Sequence, residues 1–411
     1  MTDFVVANSV AARASPGLRS LQHGLLWLVG ACGSIVFIEP SPYELAMVLA
    51  IAVFVAAGLR LAPALLIPMT LLAMICLGYS IGAIGLFHDT EILTWVLTSW
   101  YMAIAAIFFA MICLEDTADR IDALSRGYLA GAVVAALAGI AGYFNLIPGA
   151  GDLLTYAGRA RGTFKDPNVL GAFLVFPALL SLQRIIQGSF WSAIRNGVVL
   201  AILSLAIFLA FSRAAWGLYA GSAMLMVGLM FVTAETQQRR VRIVVLAVVA
   251  MALLIAAIAV LLSLDQVAAL FKERASLSQP YDSGRFGRFG RHLLGADMAL
   301  DFPVGIGPLQ FRKYFPEDTH NSFLNAFMSG GWLSGILYPV LVVTTAIYGF
   351  RYALVRTPWQ PIQIAVVATL IVTMMEAAII DTDHWRHYFL LLGLTWGLAV
   401  ASSAHLRARG G

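Results

Sequence analysis

Four groups of polar residues carry types and spacings suited to anion or proton chemistry, in a chain of 411 residues that is 60% hydrophobic. The first is Arg159-Ala-Arg161-Gly-Thr-Phe-Lys165-Asp-Pro-Asn168. Guanidinium forks pair bidentately with phosphate oxygens, a lysine adds a point charge, and the amides of a following helix favour an anion. The competing reading gives these cations to lipid headgroups and leaves Asp166-Pro167-Asn168 to start a helix. The second group is Phe211-Ser-Arg213-Ala, where almost no loop separates two apolar runs. An arginine there either faces a polar cavity or snorkels to headgroups.

The third group is Ser283-Gly-Arg285-Phe-Gly-Arg288-Phe-Gly-Arg291-His292. With Ser283 as an N-cap, arginines spaced by three rotate by about 100° per residue along a helix, so at most two face one ligand; a solvated basic face is the alternative. The fourth is Thr319-His320-Asn321-Ser322, ahead of a long apolar run. An imidazole accepts a proton near neutral pH, which makes His320 a candidate general base; a polar helix cap is the plainer account. Two weaker signals follow. Glu376 lies inside an apolar run, where a carboxylate is costly and therefore a functional candidate. The segment Asp381-Thr-Asp383-His384-Trp-Arg386-His387 has the ligand types of a divalent-metal site, but also those of a capped loop whose carboxylates pair with Arg386. No phosphate-binding G-x-x-x-x-G-K-[ST] loop occurs.

The elements that must position these groups are membrane helices. Only 12% of the residues are charged, and long apolar runs without period-two alternation exclude a barrel. A spanning helix needs about 20 apolar residues. The candidate runs are 21–38, 45–59, 64–86, 92–114, 128–147, 169–182, 194–211, 214–232, 241–264, 322–350, 362–380 and 388–404, which predicts an all-α polytopic membrane protein with about 12 transmembrane helices. The second, sixth and seventh runs are short or interrupted, and the tenth is long and contains Gly330-Gly331 and Pro339, where a kink or partial unwinding is expected. The whole chain, 1–411, reads as one integral membrane domain, with a large hydrophilic loop at 265–319 between helices 9 and 10 that has helical content of its own. Its Gly/Pro-rich turn is Pro303-Val-Gly-Ile-Gly-Pro308.

Placing both termini in the cytoplasm gives every short inner loop positive charge. Nearly half of the 26 Lys and Arg residues then lie outside, clustered after helix five and between helices nine and ten. The net charge of +4 comes without a dense basic block, which excludes a nucleic-acid partner and leaves membrane lipids. The cysteines Cys32, Cys76 and Cys113 fall in apolar runs without metal-ligand spacing, as buried free thiols do.

The motifs at 161–168, Ser212-Arg213, 303–308 and His320-Asn321 leading into Gly330-Gly331-Trp-Leu-Ser-Gly335 together resemble the bacterial O-antigen ligase and polymerase superfamily. The resemblance covers roughly 128–348 with motifs and the rest as hydrophobic architecture. It implies a GT-C-like membrane glycosyltransferase in the bacterial inner membrane, using no cofactor or metal. Such an enzyme takes a glycan from an undecaprenyl pyrophosphate carrier on the periplasmic face and joins it to an acceptor sugar hydroxyl with inversion. The acceptor is lipid A-core for a ligase and a growing glycan for an O-antigen or exopolysaccharide polymerase. By the same resemblance His320 is the base, and arginines in outer loops hold the pyrophosphate: Arg159 or Arg161, Lys165, Arg213, and one of Arg285, Arg288 and Arg291. Asn168, Asn321 and Asp383 are candidate supports, and the 381–387 cluster has no part in the motif set. A secondary transporter, for which twelve spans are also common, is the alternative of another class; it predicts charged residues at the midplane, where only Glu376 stands.

Overall fold

The computed structural model describes residues 15–276, 282 and 284–410. Ser283, read above as a helix cap, lies outside the described residues. The chain is almost wholly helical: α1 (Pro16–Cys32), α2 (Pro42–Ala56), α3 (Leu66–Gly82), α4 (Thr90–Ile112), α5 (Thr117–Tyr143) and a short α6 (Ala150–Leu154). A two-residue hairpin, β1 (Thr155–Tyr156) and β2 (Arg159–Ala160), precedes α7 (Pro167–Gln187), α8 (Phe190–Leu209), α9 (Arg213–Thr233) and α10 (Gln237–Leu261). The large loop folds into α11 (Asp265–Ala275) and α12 (Arg288–Asp301), and the chain ends with α13 (Ser322–Ala353), α14 (Gln360–Glu376) and α15 (Arg386–Gly410).

Every one of the twelve apolar runs contains a helix, but nine helices among the described residues are long and apolar enough to cross a membrane. The chain is a multi-pass membrane protein. The expectation about which runs are short needs correction. The sixth and seventh become α7 and α8, of 21 and 20 residues, because the helices continue through polar or aromatic ends such as Arg184–Gln187 and Phe190-Trp191. The second run is short as expected, α2 having 15 residues; α1 and α14 have 17 each, and α3, also of 17, is extended to 20 by a 3-10 turn at Pro63–Leu65. A 17-residue helix is about 25 Å long, somewhat less than a bilayer core of about 30 Å.

Small residues let the helices approach closely. A Cβ on Gly127 of α5 would sit 1.9 Å from the Trp27 carbonyl of α1, and one on Gly30 would sit 2.4 Å from the Leu124 carbonyl. Backbones this close gain dispersion contacts that bulkier residues would forbid, which matters where lipid removes the hydrophobic drive between helices.

The tenth apolar run is where the fold departs most from a plain bundle. Helix α13 breaks at Gly330 and Gly331, whose φ is +62°. The turn Pro303–Pro308 fills the break: Trp332 donates its amide to the Pro303 carbonyl at 2.9 Å, while the Ile306 and Gly307 amides donate to the Met328 carbonyl at 2.8 and 3.1 Å. The backbone groups freed by the break are therefore satisfied from the loop, as burial demands. A Cβ on Gly331 would lie 2.2 Å from the Pro303 carbonyl oxygen, so the two glycine-bearing motifs are two halves of one contact. This joint fixes the large loop against α13, directly after His320.

Candidate functional site

His320 sits immediately before α13, which Asn321 caps by accepting the Leu324 amide at 3.0 Å. Its φ is +46°, a left-handed conformation that costs a residue with a side chain about 1–3 kcal/mol unless its surroundings impose it. Asp381 imposes it. One carboxylate accepts the amides of His320 and Asn321 at 3.2 and 2.9 Å and the Thr319 hydroxyl at 3.0 Å. The same carboxylate lies 3.4 Å from His320 Nδ1. An imidazole whose Nδ1 faces a carboxylate is held in the tautomer that leaves Nε2 free to take a proton. Opposite, Glu317 lies 3.9 Å from Nε2 and is itself held by Arg291 at 2.6 Å. His292 closes the loop from α12 through a 2.9 Å bond with the Thr319 carbonyl, and burial lowers its proton affinity.

The second and third arginine groups meet. Asp282 binds Arg213 Nη2 at 2.8 Å through one oxygen and lies 3.4 Å from Arg288 Nε through the other. Arg213 begins α9, with Ser212 as its cap, and donates also to the Ser276 carbonyl. Arg288 begins α12 and donates to the Ile379 carbonyl at 3.3 Å, two residues before Asp381. Two guanidinium groups 75 positions apart in sequence thus converge on one carboxylate beside the segment that holds His320. The helix starts at Arg288, with Gly287 as N-cap, so the three arginines do not share one helix. Arg291 is buried on Glu317, and Arg285 stays exposed over the Phe286 ring.

The group before α7 is arranged otherwise. Arg159 is buried and donates to the Ala210 carbonyl at 2.8 Å and to Asn168 Oδ1 at 2.7 Å, bracing the α8–α9 turn that launches Arg213. Arg161 turns back to the Leu153 and Asp152 carbonyls at the end of α6. Lys165 pairs with Glu39 at 2.6 Å, both half-exposed or more. Asp166 caps α7 through the Asn168 amide.

A buried polar layer lies behind His320. Asp383 accepts from the Asn325 amide at 2.5 Å, and Asn325 in turn accepts from Ser329. Burial, with the neighbouring Asp381 charge, pushes Asp383 up to about 7; burial pushes His384, which bonds Ser99 at 3.0 Å, down to about 4. Arg386, expected as a partner of these carboxylates, pairs instead with Glu44 and donates to Ser41 Oγ, because it begins α15 beside the start of α2. Among the described residues no group of three or more His, Cys, Asp or Glu is placed to hold a metal. Glu376 is buried, and its Oε2 has no partner among the described residues.

Asp381, Glu317 and Asp282 are the residues sequence reasoning did not place in the site. Only Asp381 had a signal, two carboxylates and two histidines packed into one short loop.

A family model described as O-antigen ligase matches residues 198–338, the stretch that contains Arg213, the large loop, His320 and the broken helix. No curated protein matches the chain.

Proposed function

We propose, with membership of the O-antigen ligase superfamily as the premise, that this chain is a ligase-type glycosyltransferase. It moves a glycan from an undecaprenyl pyrophosphate carrier to a sugar hydroxyl of lipid A-core at the periplasmic face of the inner membrane. The observation that carries this reading is His320 held by Asp381 beside two guanidinium groups that converge on Asp282. Ion pairs between distant segments support the alternation of the crossings, which fixes the loops that share a side. Arg19–Asp116, Arg60–Glu115 and Arg356–Glu235 join loops that twelve alternating crossings put inside; Lys165–Glu39, Arg312–Glu91 and Arg213–Asp282 join loops they put outside.

The chemistry is a single displacement. The acceptor oxygen attacks the anomeric carbon as its proton passes to His320 Nε2, and the bond from that carbon to the pyrophosphate oxygen breaks with its electron pair on the leaving group. Attack opposite the departing oxygen inverts the anomeric configuration. Negative charge grows on the pyrophosphate, where Arg213 and Arg288 meet it in place of Asp282; fixed donors at such a position contribute about 3–4 kcal/mol each. Asp381 keeps Nδ1 protonated and stabilises the imidazolium that forms.

The deciding experiment is the surface glycan of a deletion strain. Rough lipopolysaccharide with long polymer left on the carrier is the expected result. Lipopolysaccharide capped with one repeat unit would replace the ligase by an O-antigen polymerase, and loss of exopolysaccharide alone by an exopolysaccharide polymerase.

A further inference from the structure

We infer that Glu317 recognises the acceptor sugar, accepting a hydrogen bond from the hydroxyl adjacent to the one that His320 deprotonates, an assignment that rests on the transfer reaction proposed above. Asp381, Asp282 and Glu317 differ in what they have left to offer a ligand. Asp381 is engaged by two amides, a hydroxyl and the Nδ1 side of His320. Asp282 spans Arg213 and Arg288 through its two oxygens. Glu317 bonds Arg291 through Oε2 alone, and its Oε1 takes no hydrogen bond among the described residues.

Glu317 also holds its place against an anion. The side chains of Arg213 and Arg288 are 29% and 25% exposed, so a phosphate reaches them, whereas that of Arg291 is only 3% exposed. Vacating Arg291 would leave a buried charge unpaired, a cost that the more open pairs escape. Helix α12 fixes the position. Arg291 donates to the Glu317 carboxylate at 2.6 Å and to the Phe286 carbonyl at 3.1 Å, and the next residue, His292, bonds the Thr319 carbonyl at 2.9 Å. Two consecutive residues of one helix thus set 317–319 beside the base, and a carboxylate held in advance loses little freedom on binding.

Geometry and charge select a diol. His320 Nε2 and Glu317 Oε2 are 3.9 Å apart, beyond a hydrogen bond, and both are acceptors while the imidazole is neutral. Two hydroxyls on neighbouring sugar carbons are two donors about one hydrogen-bond length apart. One donates to Nε2 and is the nucleophile; the other donates to the carboxylate. A neutral sugar satisfies both acceptors, whereas a phosphate or uronate there meets like charge. The donor pyrophosphate accordingly belongs with the guanidinium groups at Asp282 and the acceptor with Glu317, so charge sorts the two substrates around His320.

The test varies acceptor and donor separately in the reconstituted full-length protein, with lipid A-core and carrier-linked glycan purified from the deletion strain. Glu317→Gln keeps an oxygen for Arg291 and removes the charge. It should raise the KM for lipid A-core about ten-fold and Glu317→Ala about a hundred-fold, the range for a hydrogen bond to a charged group, with the donor KM within about two-fold. An unchanged acceptor KM in Glu317→Gln, or an equal rise for the donor, overturns the assignment. A lowered melting temperature with both KM values unchanged overturns it too, leaving Glu317 as the counter-ion of Arg291. Calorimetric binding of the core oligosaccharide released from the same lipopolysaccharide separates this reading from the reaction. Binding weakened about ten-fold by Glu317→Gln, with no transfer by the wild type, sinks the reaction and keeps the sugar site. Transfer with equal binding by both proteins sinks the role of Glu317 alone.

Discussion

The segment before α7 and the group around His320 are equally cationic in sequence, yet their charges end on different partners. Arg159 and Arg161 donate to backbone carbonyls at the ends of α8 and α6. Arg213, Arg288 and Arg291 bind carboxylates, Asp282 and Glu317, that are supplied by the large loop. Arg159, bonded to the buried Ala210 carbonyl, cannot leave without orphaning it, whereas the acceptors of Arg161 are exposed. A guanidinium bonded to a carboxylate can exchange it for a phosphate of similar shape and charge. Arg159 therefore scaffolds the turn from which Arg213 projects; the arginines of the second group, each of which also keeps one arm on a backbone carbonyl, hold a carboxylate with the other, and on the proposed reading Asp282 is the one that an anion can replace.

The largest effect that would sharpen this contrast belongs to His320. Removing a general base costs roughly 10²–10⁴-fold in rate. His320→Asn is the cleaner variant than His320→Ala, because asparagine tolerates the left-handed backbone that Asp381 imposes. Transfer from a lipid-linked donor by the reconstituted protein should fall by that factor with the melting temperature retained; full activity would remove the base assignment.

Next come the exchangeable arginines. Arg213→Ala and Arg288→Ala should each lower kcat/KM by about 10²–10³-fold, the scale for one donor at developing charge. Lysine should rescue only partly, since it cannot meet two oxygens in one plane. Arg159→Ala should act on the fold, lowering the melting temperature by an amount equivalent to about 1–3 kcal/mol through the orphaned Ala210 carbonyl and Asn168. If Arg159→Ala instead spared the melting temperature and raised the KM for donor, the division between scaffold and clamp would fail.

Much of this was legible in the sequence because it follows from hydrophobicity and backbone freedom. Twelve apolar runs hold helices, and Gly330-Gly331 marks a real break. The motif that fits the break, residues 303–308, was visible as a turn, but its docking on α13 was not, since carbonyl and amide partners have no residue signature. The same blindness hid the scaffold role of Arg159, whose main acceptor is a backbone oxygen. Asp381 was read within a loop-capping cluster because its partners lie about 60 positions upstream, a separation that only the packing of α14 and α15 against α13 closes. Its neighbour Asp383 acquires its character from burial, which a lone loop aspartate does not announce.

That burial has a pH signature. Asp383 holds its proton up to about pH 7 in the folded protein, against an ordinary aspartate near 4 in the unfolded chain. Across the interval the unfolded chain has lost a proton that the fold retains, so this group's contribution to stability is complete below about pH 4 and declines as pH rises through 7. Asp383→Asn cannot ionise and lacks this decline. The difference in melting temperature between wild type and Asp383→Asn should therefore move against the wild type from pH 4 to 7. Parallel curves would mean that Asp383 is solvated rather than enclosed behind His320. His384, pushed down to about 4, works in the opposite sense, losing stability as pH falls, and because its Nδ1 lies 3.7 Å from Asp383 the substitution changes its surroundings as well.

The smallest expected effect tests the edge of the scaffold. Lys165 and Glu39 form a short ion pair between loops, with side chains 54% and 62% exposed. Water screens such a pair, and exposed pairs contribute about 0–1 kcal/mol. Lys165→Ala should then change stability by less than about 0.5 kcal/mol, as surface substitutions do. The kinetic outcome is the informative one. A lysine bound only to Glu39 leaves the donor KM within about two-fold, whereas a larger rise that high salt abolishes would mean that Lys165 steers the anionic donor from a distance. In that case the loop before α7 would contribute a long-range field to the site in addition to its carbonyl-bound scaffold, and the line between the two regions would run between Arg161 and Lys165 instead of at the start of α7.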